Sequence, residues 1–175
     1  MQGLVELENI FSEKVGNYGL RRCSIDDLKK VISINLITLP ENYSDYFFED
    51  LLKSSPESFI VAEKNDEIVG YIMCRIEYGF SNFKRFNLSR KGHIVSLAVL
   101  ENHRGNKLGK SLISSAVNAL KLKGCNEAYL EVRATNDEAV AIYKQLGFKI
   151  TSVISGYYRD NEKANLMGIQ LMEQK

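Results

Sequence analysis

Asn136 and Tyr143 lie seven residues apart in EVRATNDEAVAIYKQLGF (131–148), which reads as a strand end, a helix and a closing Gly-Phe. Seven residues is close to two helical turns, so an amide and a phenol share one helix face. A second stretch, HIVSLAVLENHRGNKLGKSLI (93–113), reads as a strand, a basic glycine-bearing turn and the start of another helix. Arg104, Gly105, Asn106, Lys107, Leu108, Gly109 and Lys110 make up that turn. A helix start behind such a turn offers unpaired N–H groups to an anion; the alternative is a surface loop with solvated charges. A phosphate cradle together with a phenol suggests group transfer from a phosphate-bearing carrier.

His93 opens the strand of the second stretch, and Glu131 on the next strand could orient it or share a water with it. Taken alone, such a histidine more often serves structure than catalysis. Two such groups are too few to predict a metal. Asn136 can equally be a helix cap, and Tyr143 a core aromatic whose hydroxyl meets a backbone acceptor.

The elements that would position these residues follow from periodicity and turn chemistry. Residues 1–17 have weak periodicity and end in Gly16-Asn17, so they are expected to form an extension, with the domain spanning 18–175. Tyr18–Arg22 reads as a first strand, and Ser24 as the N-cap of a helix to about Leu36 with Leu28, Val31, Ile32 and Asn35 inward. A loop (39–45) and a short second helix (44–53) follow. FIVAEK, Asn65-Asp66 and EIVGYIMCRIE form a strand, a two-residue turn and a strand. The basic linker 79–92 reads as a mobile connection with solvated charges. HIVSLAV (93–99) has the near-continuous apolar character of a strand buried on both faces. The next helix turns Leu112, Ile113, Ala116, Val117 and Leu120 inward and stops at Gly124. AYLEVRA (128–134) then pairs parallel with the earlier strand, as a strand-helix-strand unit of this length requires. Thr135 and Glu138 suggest a capping box, Gly147 a helix stop, and 148–171 an antiparallel hairpin. The expected fold is an α/β domain with a mixed sheet, antiparallel early and parallel in the middle.

Composition narrows the function. The chain has 175 residues, 45% hydrophobic and 26% charged, enough for one globular domain. A net charge of +1 gives no global electrostatic case for nucleic acid or an anionic membrane. Runs such as IVSLAVL are too short to span a bilayer. The acidic N-terminus lacks the order of a secretory signal. Cys23, Cys74 and Cys125 follow no metal or disulfide spacing, which fits a reducing cytoplasm.

At HIVSLAVLENHRGNKLGK and EVRATNDEAVAIYKQLGF the sequence resembles the GCN5-related N-acetyltransferase superfamily. Within it, the chain is most similar to archaeal protein N-terminal acetyltransferases, which are related to the catalytic subunit of the N-terminal acetyltransferase A complex and to ribosomal-protein-alanine acetyltransferase. LPENY (39–43), KGHIVSLAV (91–99) and GYYRDNEKANLM (156–167) resemble that group's peptide-binding loop, fourth strand and last hairpin loop. The resemblance spans about 18–175. One position departs: the cofactor turn pattern Arg/Gln-x-x-Gly-x-Gly/Ala has Lys107 where its first glycine belongs. Lys107 is expected in ordinary right-handed backbone, with Gly105 absorbing the unusual conformation.

The resemblance implies a splayed sheet and acetyl-coenzyme A as donor. Arg104 to Lys110 would bind its diphosphate, the backbones of Leu97, Ala98 and Val99 its pantetheine arm, and Asn136 would add a hydrogen bond. Tyr143 would protonate the departing thiolate, and His93 or Glu41 would serve as general base. Leu39, Pro40, Glu41, Tyr43, Tyr157 and Tyr158 would contact the polypeptide substrate. Lys84, Arg85, Arg90 and Lys91 could touch a ribosome or an acidic peptide, although solvated charge suits them better. The implied reaction is direct attack by a protein α-amine on the thioester. Two other readings keep the donor: an enzyme acting on lysine side chains or small amines, and a non-catalytic acyl-coenzyme A-binding regulator.

Overall fold

The computed structural model describes residues 14–172. In chain order the elements are β1 (Lys14–Val15), β2 (Tyr18–Arg22), α1 (Leu28–Thr38), α2 (Asp45–Ser54), β3 (Phe59–Lys64) and β4 (Glu67–Phe80). They continue with β5 (Leu88–Val99), α3 (Leu108–Leu122), β6 (Glu127–Arg133), α4 (Asp137–Gln145), β7 (Lys149–Ile154) and β8 (Ala164–Gln170). The strands hydrogen-bond in the order β1-β2-β3-β4-β5-β6-β8-β7, the mixed sheet that the sequence leads one to expect. Most of the expected N-terminal extension, residues 1–13, lies outside the described residues, while Lys14–Val15 pairs antiparallel with β2. Two compact units divide the chain, one comprising 14–75 with Ile94–Lys123 and the other Ile76–His93 with 124–172. No helix among the described residues is long and apolar enough to cross a membrane.

In the first unit β2, β3 and β4 pair antiparallel, with Leu20 opposite Ala62 and Val61 opposite Tyr71. Asn65 and Asp66 turn the β3–β4 hairpin at φ 52° and 63°, the double left-handed geometry of a two-residue turn that these side chains tolerate. Phe59, Ile60, Val61 and Ala62 are all fully buried, so β3 is covered on both faces. Phe59 and Val61 cluster with Val31 and Ile34 of α1 and Phe48 and Leu51 of α2. α3 packs against β3 and buries Leu112, Ile113, Ala116, Ala119 and Leu120, leaving Val117 half-buried. On α1 Leu28, Val31, Ile34 and Asn35 are buried, and the expected Ile32 is partly buried against the same core, so Ile34 joins the stripe.

Ser24 opens a 3₁₀ turn, Ile25–Asp27, rather than the α-helix itself. The Asp27 carboxylate accepts from the Ser24 backbone N–H at 2.7 Å and from its hydroxyl at 2.8 Å. Arg21 donates to the same carboxylate at 2.6 and 2.9 Å and to Glu63 at 2.7 Å. One arginine with two carboxylates thereby ties β2, the turn before α1 and β3 together.

In the second unit β5 runs parallel to β6, with Lys91, Gly92 and His93 opposite Glu127, Ala128 and Tyr129. β8 lies antiparallel between β6 and β7. The segment 79–92 differs from its expected form. β4 continues to Phe80 and β5 begins at Leu88, leaving only 81–87 as connection. Buried Glu127 holds that connection by accepting from the Ser81 hydroxyl at 2.7 Å and the Asn82 N–H at 2.9 Å. Lys91 is buried rather than solvated, its ammonium 4.5 Å from the Tyr129 ring centroid.

The Arg21 hydrogen bond, above all, holds the Asp27 carboxyl down at about 2. A depressed carboxylate stabilises the fold above its unfolded value of about 3.9 and loses that contribution as pH falls through the folded value. Arg21 is partly solvated, which discounts the pair, so Asp27→Asn is expected to cost on the order of 1–2 kcal/mol at neutral pH. Urea melts of both proteins should show that gap closing between about pH 4 and pH 2.

Candidate active site

β5 carries the candidate residues, and its hydrogen bonds fix which way each peptide group points. The Leu100 N–H donates to the Val69 carbonyl of β4 at 2.9 Å. Peptide groups alternate sides along a strand, so those of Val95, Leu97 and Val99 point to the edge turned away from β4. Two side chains of the first unit meet this edge: the Tyr43 hydroxyl donates to the Val95 carbonyl at 3.3 Å, and Arg104 Nε to the Val99 carbonyl at 3.1 Å. The N–H groups of Leu97 and Val99 share it. β5 also departs from the expectation of burial on both faces: Ile94, Ser96 and Ala98 are buried while Val95, Leu97 and Val99 are only half-buried.

After β5 a 3₁₀ turn, Glu101–His103, leads into the basic turn and α3. Gly105 takes φ 77° and Lys107 takes φ 63°. Lys107 is therefore left-handed, against the right-handed backbone expected of it, because the turn needs two such residues and Gly105 supplies only one. A left-handed lysine costs roughly 1–2 kcal/mol. As N-cap residue Lys107 makes no side-chain cap, and the first turn of α3 has no acidic residue. The amides at that helix start, with Lys107 and Lys110 beside them in sequence, favour an anion. A Cβ built on Gly105 or Gly109 meets nothing within 4 Å, so both glycines face open space. The turn fits a diphosphate on these grounds. Asn106 turns back on its own loop, donating to the carbonyls of His103 and Arg104 at 3.1 and 3.2 Å.

The LPENY loop is anchored from beneath by a buried chain absent from the sequence-based site list. Asn35 Nδ2 donates to the Glu41 carbonyl at 3.3 Å and to the Tyr71 hydroxyl at 3.0 Å. Tyr71 in turn shares a 2.8 Å hydrogen bond with Ser96 of β5. Burial pushes the Tyr71 phenol up to about 12, so it acts only as a neutral hydrogen-bonding group. Its position amid the apolar run of β4 was the available signal, since a buried phenol requires a partner. Tyr43 stacks on Phe47 at 4.9 Å and Leu39 packs on the core, while Pro40 is exposed.

In the second unit His93 Nε2 lies 2.7 Å from Glu131 Oε2, and both side chains are about 15% exposed. A carboxylate only accepts, so Nε2 carries the proton of this hydrogen bond. The imidazole is also stacked on Tyr129, with ring centroids 4.5 Å apart and planes parallel. Tyr129 donates its hydroxyl proton to Glu77. Tyr143 is buried, edge-on to Phe148 at 5.5 Å. Asn136 caps α4, its Oδ1 accepting from the Ala139 N–H at 3.1 Å. The expected Thr135–Glu138 box does not supply the cap, because Thr135 instead donates its hydroxyl to Glu162 at 2.6 Å. Tyr157 and Tyr158 meet edge-on at 5.0 Å in the β7–β8 loop. Arg133 holds that loop by pairing with Asp160 and Glu162 at 2.7 and 2.6 Å and lying over the Tyr158 ring.

Residues 28–148 match the acetyltransferase (GNAT) family. The chain belongs to this family. As a GNAT acetyltransferase it is an acyltransferase that uses acetyl-coenzyme A, as the sequence led us to expect. It is 45% identical to the N-alpha-acetyltransferase of Sulfurisphaera tokodaii over 91% of this chain and 97% of that one. It is 36% identical to the N-terminal acetyltransferase A complex catalytic subunit NAA10 of Arabidopsis thaliana, over 86% of this chain and 79% of that one. The crystal structure of Ard1 from Thermoplasma volcanium superposes with a TM-score of 0.78 at 29% identity, covering 90% of this acetyltransferase and all of that chain.

Restoring glycine at the strained position should relieve more strain than glycine's added unfolded-state freedom costs, so Lys107→Gly is expected to raise stability by up to about 1 kcal/mol. Chemical denaturation measures this. Tyr71→Phe strands the buried Asn35 and Ser96 groups and should lower stability by about 1–3 kcal/mol in the same assay.

Proposed function

We propose that this acetyltransferase moves acetyl groups from acetyl-coenzyme A onto the α-amino groups of polypeptide N-termini. The observation that carries this reading is the 2.7 Å pairing of His93 with Glu131, which fixes the imidazole tautomer. An α-amine, near 7.7–8.0, is in part already neutral at neutral pH and asks little of a base, whereas a lysine amine at about 10.4 needs some 3 kcal/mol more help. The names of the relatives, N-alpha-acetyltransferase among them, support the same acceptor.

When bound, the donor supplies an acetyl thioester. The N–H groups at the start of α3, with Arg104 to Lys110, hold its diphosphate. The N–H groups of Leu97 and Val99, flanking Ala98, donate to the pantetheine amides and the acyl carbonyl oxygen. Asn136 contributes its amide N–H, since its oxygen is committed to the α4 cap. His93 takes the proton from the attacking amine, with Glu41 as the second candidate base, and the Tyr143 hydroxyl delivers a proton to the departing sulfur. A cysteine nucleophile is disfavoured: all three thiols are buried, and burial pushes Cys23 up to about 12 and Cys125 to about 11. Leu39, Pro40, Glu41, Tyr43, Tyr157 and Tyr158 are the residues assigned to peptide contact. We assign the catalytic domain to 18–175 and the protein to the cytoplasm, with nascent chains as substrate and exposed Lys84 and Arg85 available to a ribosomal surface.

A peptide library with free and blocked N-termini, read by mass spectrometry, tests this. Acetyl should appear on free α-amines; equal-rate acetylation of lysine in blocked peptides would overturn the assignment. Tyr143→Phe and His93→Ala are each expected to lower kcat by roughly 100-fold, the usual scale of a lost general acid or base.

A further inference from the structure

The first unit holds a cavity of about 340 Å³ walled by the β1–β2 turn (Gly16, Asn17, Tyr18) and by Lys64, Asn106 and Lys107. That volume leaves room for a phosphate with part of its hydration. Two lysines from separate elements line it: Lys64 at the end of β3 and Lys107 at the start of α3. Among the described residues neither is held in an ion pair. The carboxylate nearest in sequence to Lys64, Glu63, is already engaged by Arg21 at 2.7 Å. Lys64 Nζ stands 5.1 Å over the Tyr18 ring, and the Tyr18 hydroxyl is fixed by a 3.2 Å hydrogen bond with His103 Nδ1. The cavity thus has a braced wall and two lysines that make no ion pair among the described residues.

Lys107 occupies left-handed backbone at φ 63°, where glycine would be unstrained. Backbone strain kept at a residue that lines a cavity points to use of that residue. Coenzyme A carries a diphosphate and, separately, a 3′-phosphate on its ribose. Asn106 and Lys107 belong both to the diphosphate turn and to the cavity wall, so a ligand on the turn has its next anionic group beside the cavity. We propose that the cavity is a subsite for a phosphomonoester dianion, the donor's 3′-phosphate, held between Lys64 and Lys107. This rests on the acetyl-coenzyme A reading and adds a second anchoring point to it.

Calorimetric affinities for coenzyme A and 3′-dephospho-coenzyme A test the subsite in the wild type, Lys64→Met, Lys107→Gly and the double variant. The wild type should prefer coenzyme A by roughly tenfold or more, the scale of a charge-assisted hydrogen bond. Each single variant should reduce that preference, and the double variant should bring it close to one. Lys107→Gly should do so while its melting temperature rises, a combination that a purely structural lysine does not produce. Equal affinities in the wild type, or a preference unchanged in the variants, would remove the subsite and leave the donor assignment standing. Failure to bind either molecule would remove the donor assignment with it.

Discussion

Every peptide group of β5 needs a hydrogen-bond partner, and alternation lets only half of them find one on β4. The Leu100–Val69 bond sets the phase of that alternation. Once it is set, the carbonyls of Val95 and Val99 fall on the opposite edge, where Tyr43 and Arg104 take them. The amides of Leu97 and Val99 follow without further choice. A shift of one residue would send these groups to β4 and turn Tyr43 and Arg104 toward carbonyls they could not reach. The LPENY loop, the basic turn and the half-buried face of β5 all depend on this register.

The two helices that follow β5 and β6 show how local chemistry separates binding from capping. α4 begins with an asparagine that caps its own helix and with Asp137 and Glu138 in its first turn, so its positive end is already answered. α3 begins with a lysine, lacks a side-chain cap and has no acid in its first turn, so its positive end is not answered from within the helix. The same contrast explains why the basic turn, rather than the Asn136 segment, is suited to an anion.

Buried polar groups do the positioning in both units. In the first, Asn35, Tyr71 and Ser96 link α1, β4 and β5 beneath the Glu41 backbone. In the second, Glu131 fixes the His93 ring and Glu127 fixes the 81–87 connection. Asn35 Nδ2 reaches both the Glu41 carbonyl and Tyr71, Glu127 holds two points of the connection, and the His93 ring is stacked on its other face. A group held in this way keeps its orientation, which a proton-transferring site requires.

Local spacing was enough to read the order of elements, the Asn65-Asp66 hairpin and the stops at Gly124 and Gly147, because hydrophobic period and turn preference act over a few residues. The contour of 79–92 was not legible: its alternation is broken, and Glu127, which organises it, lies some 45 residues away. Nor could spacing reveal the Asn35–Tyr71–Ser96 chain, whose links span 36 and 25 residues. Whether Thr135 or Asn136 capped α4 depended on Glu162, which drew the threonine hydroxyl away. The handedness of Lys107 depended on how the turn closes onto α3. The sequence by itself determined which groups are present and on which kind of element they sit. Only the tertiary structure decided which polar group meets which, because that pairing is set by contacts between segments distant in the chain.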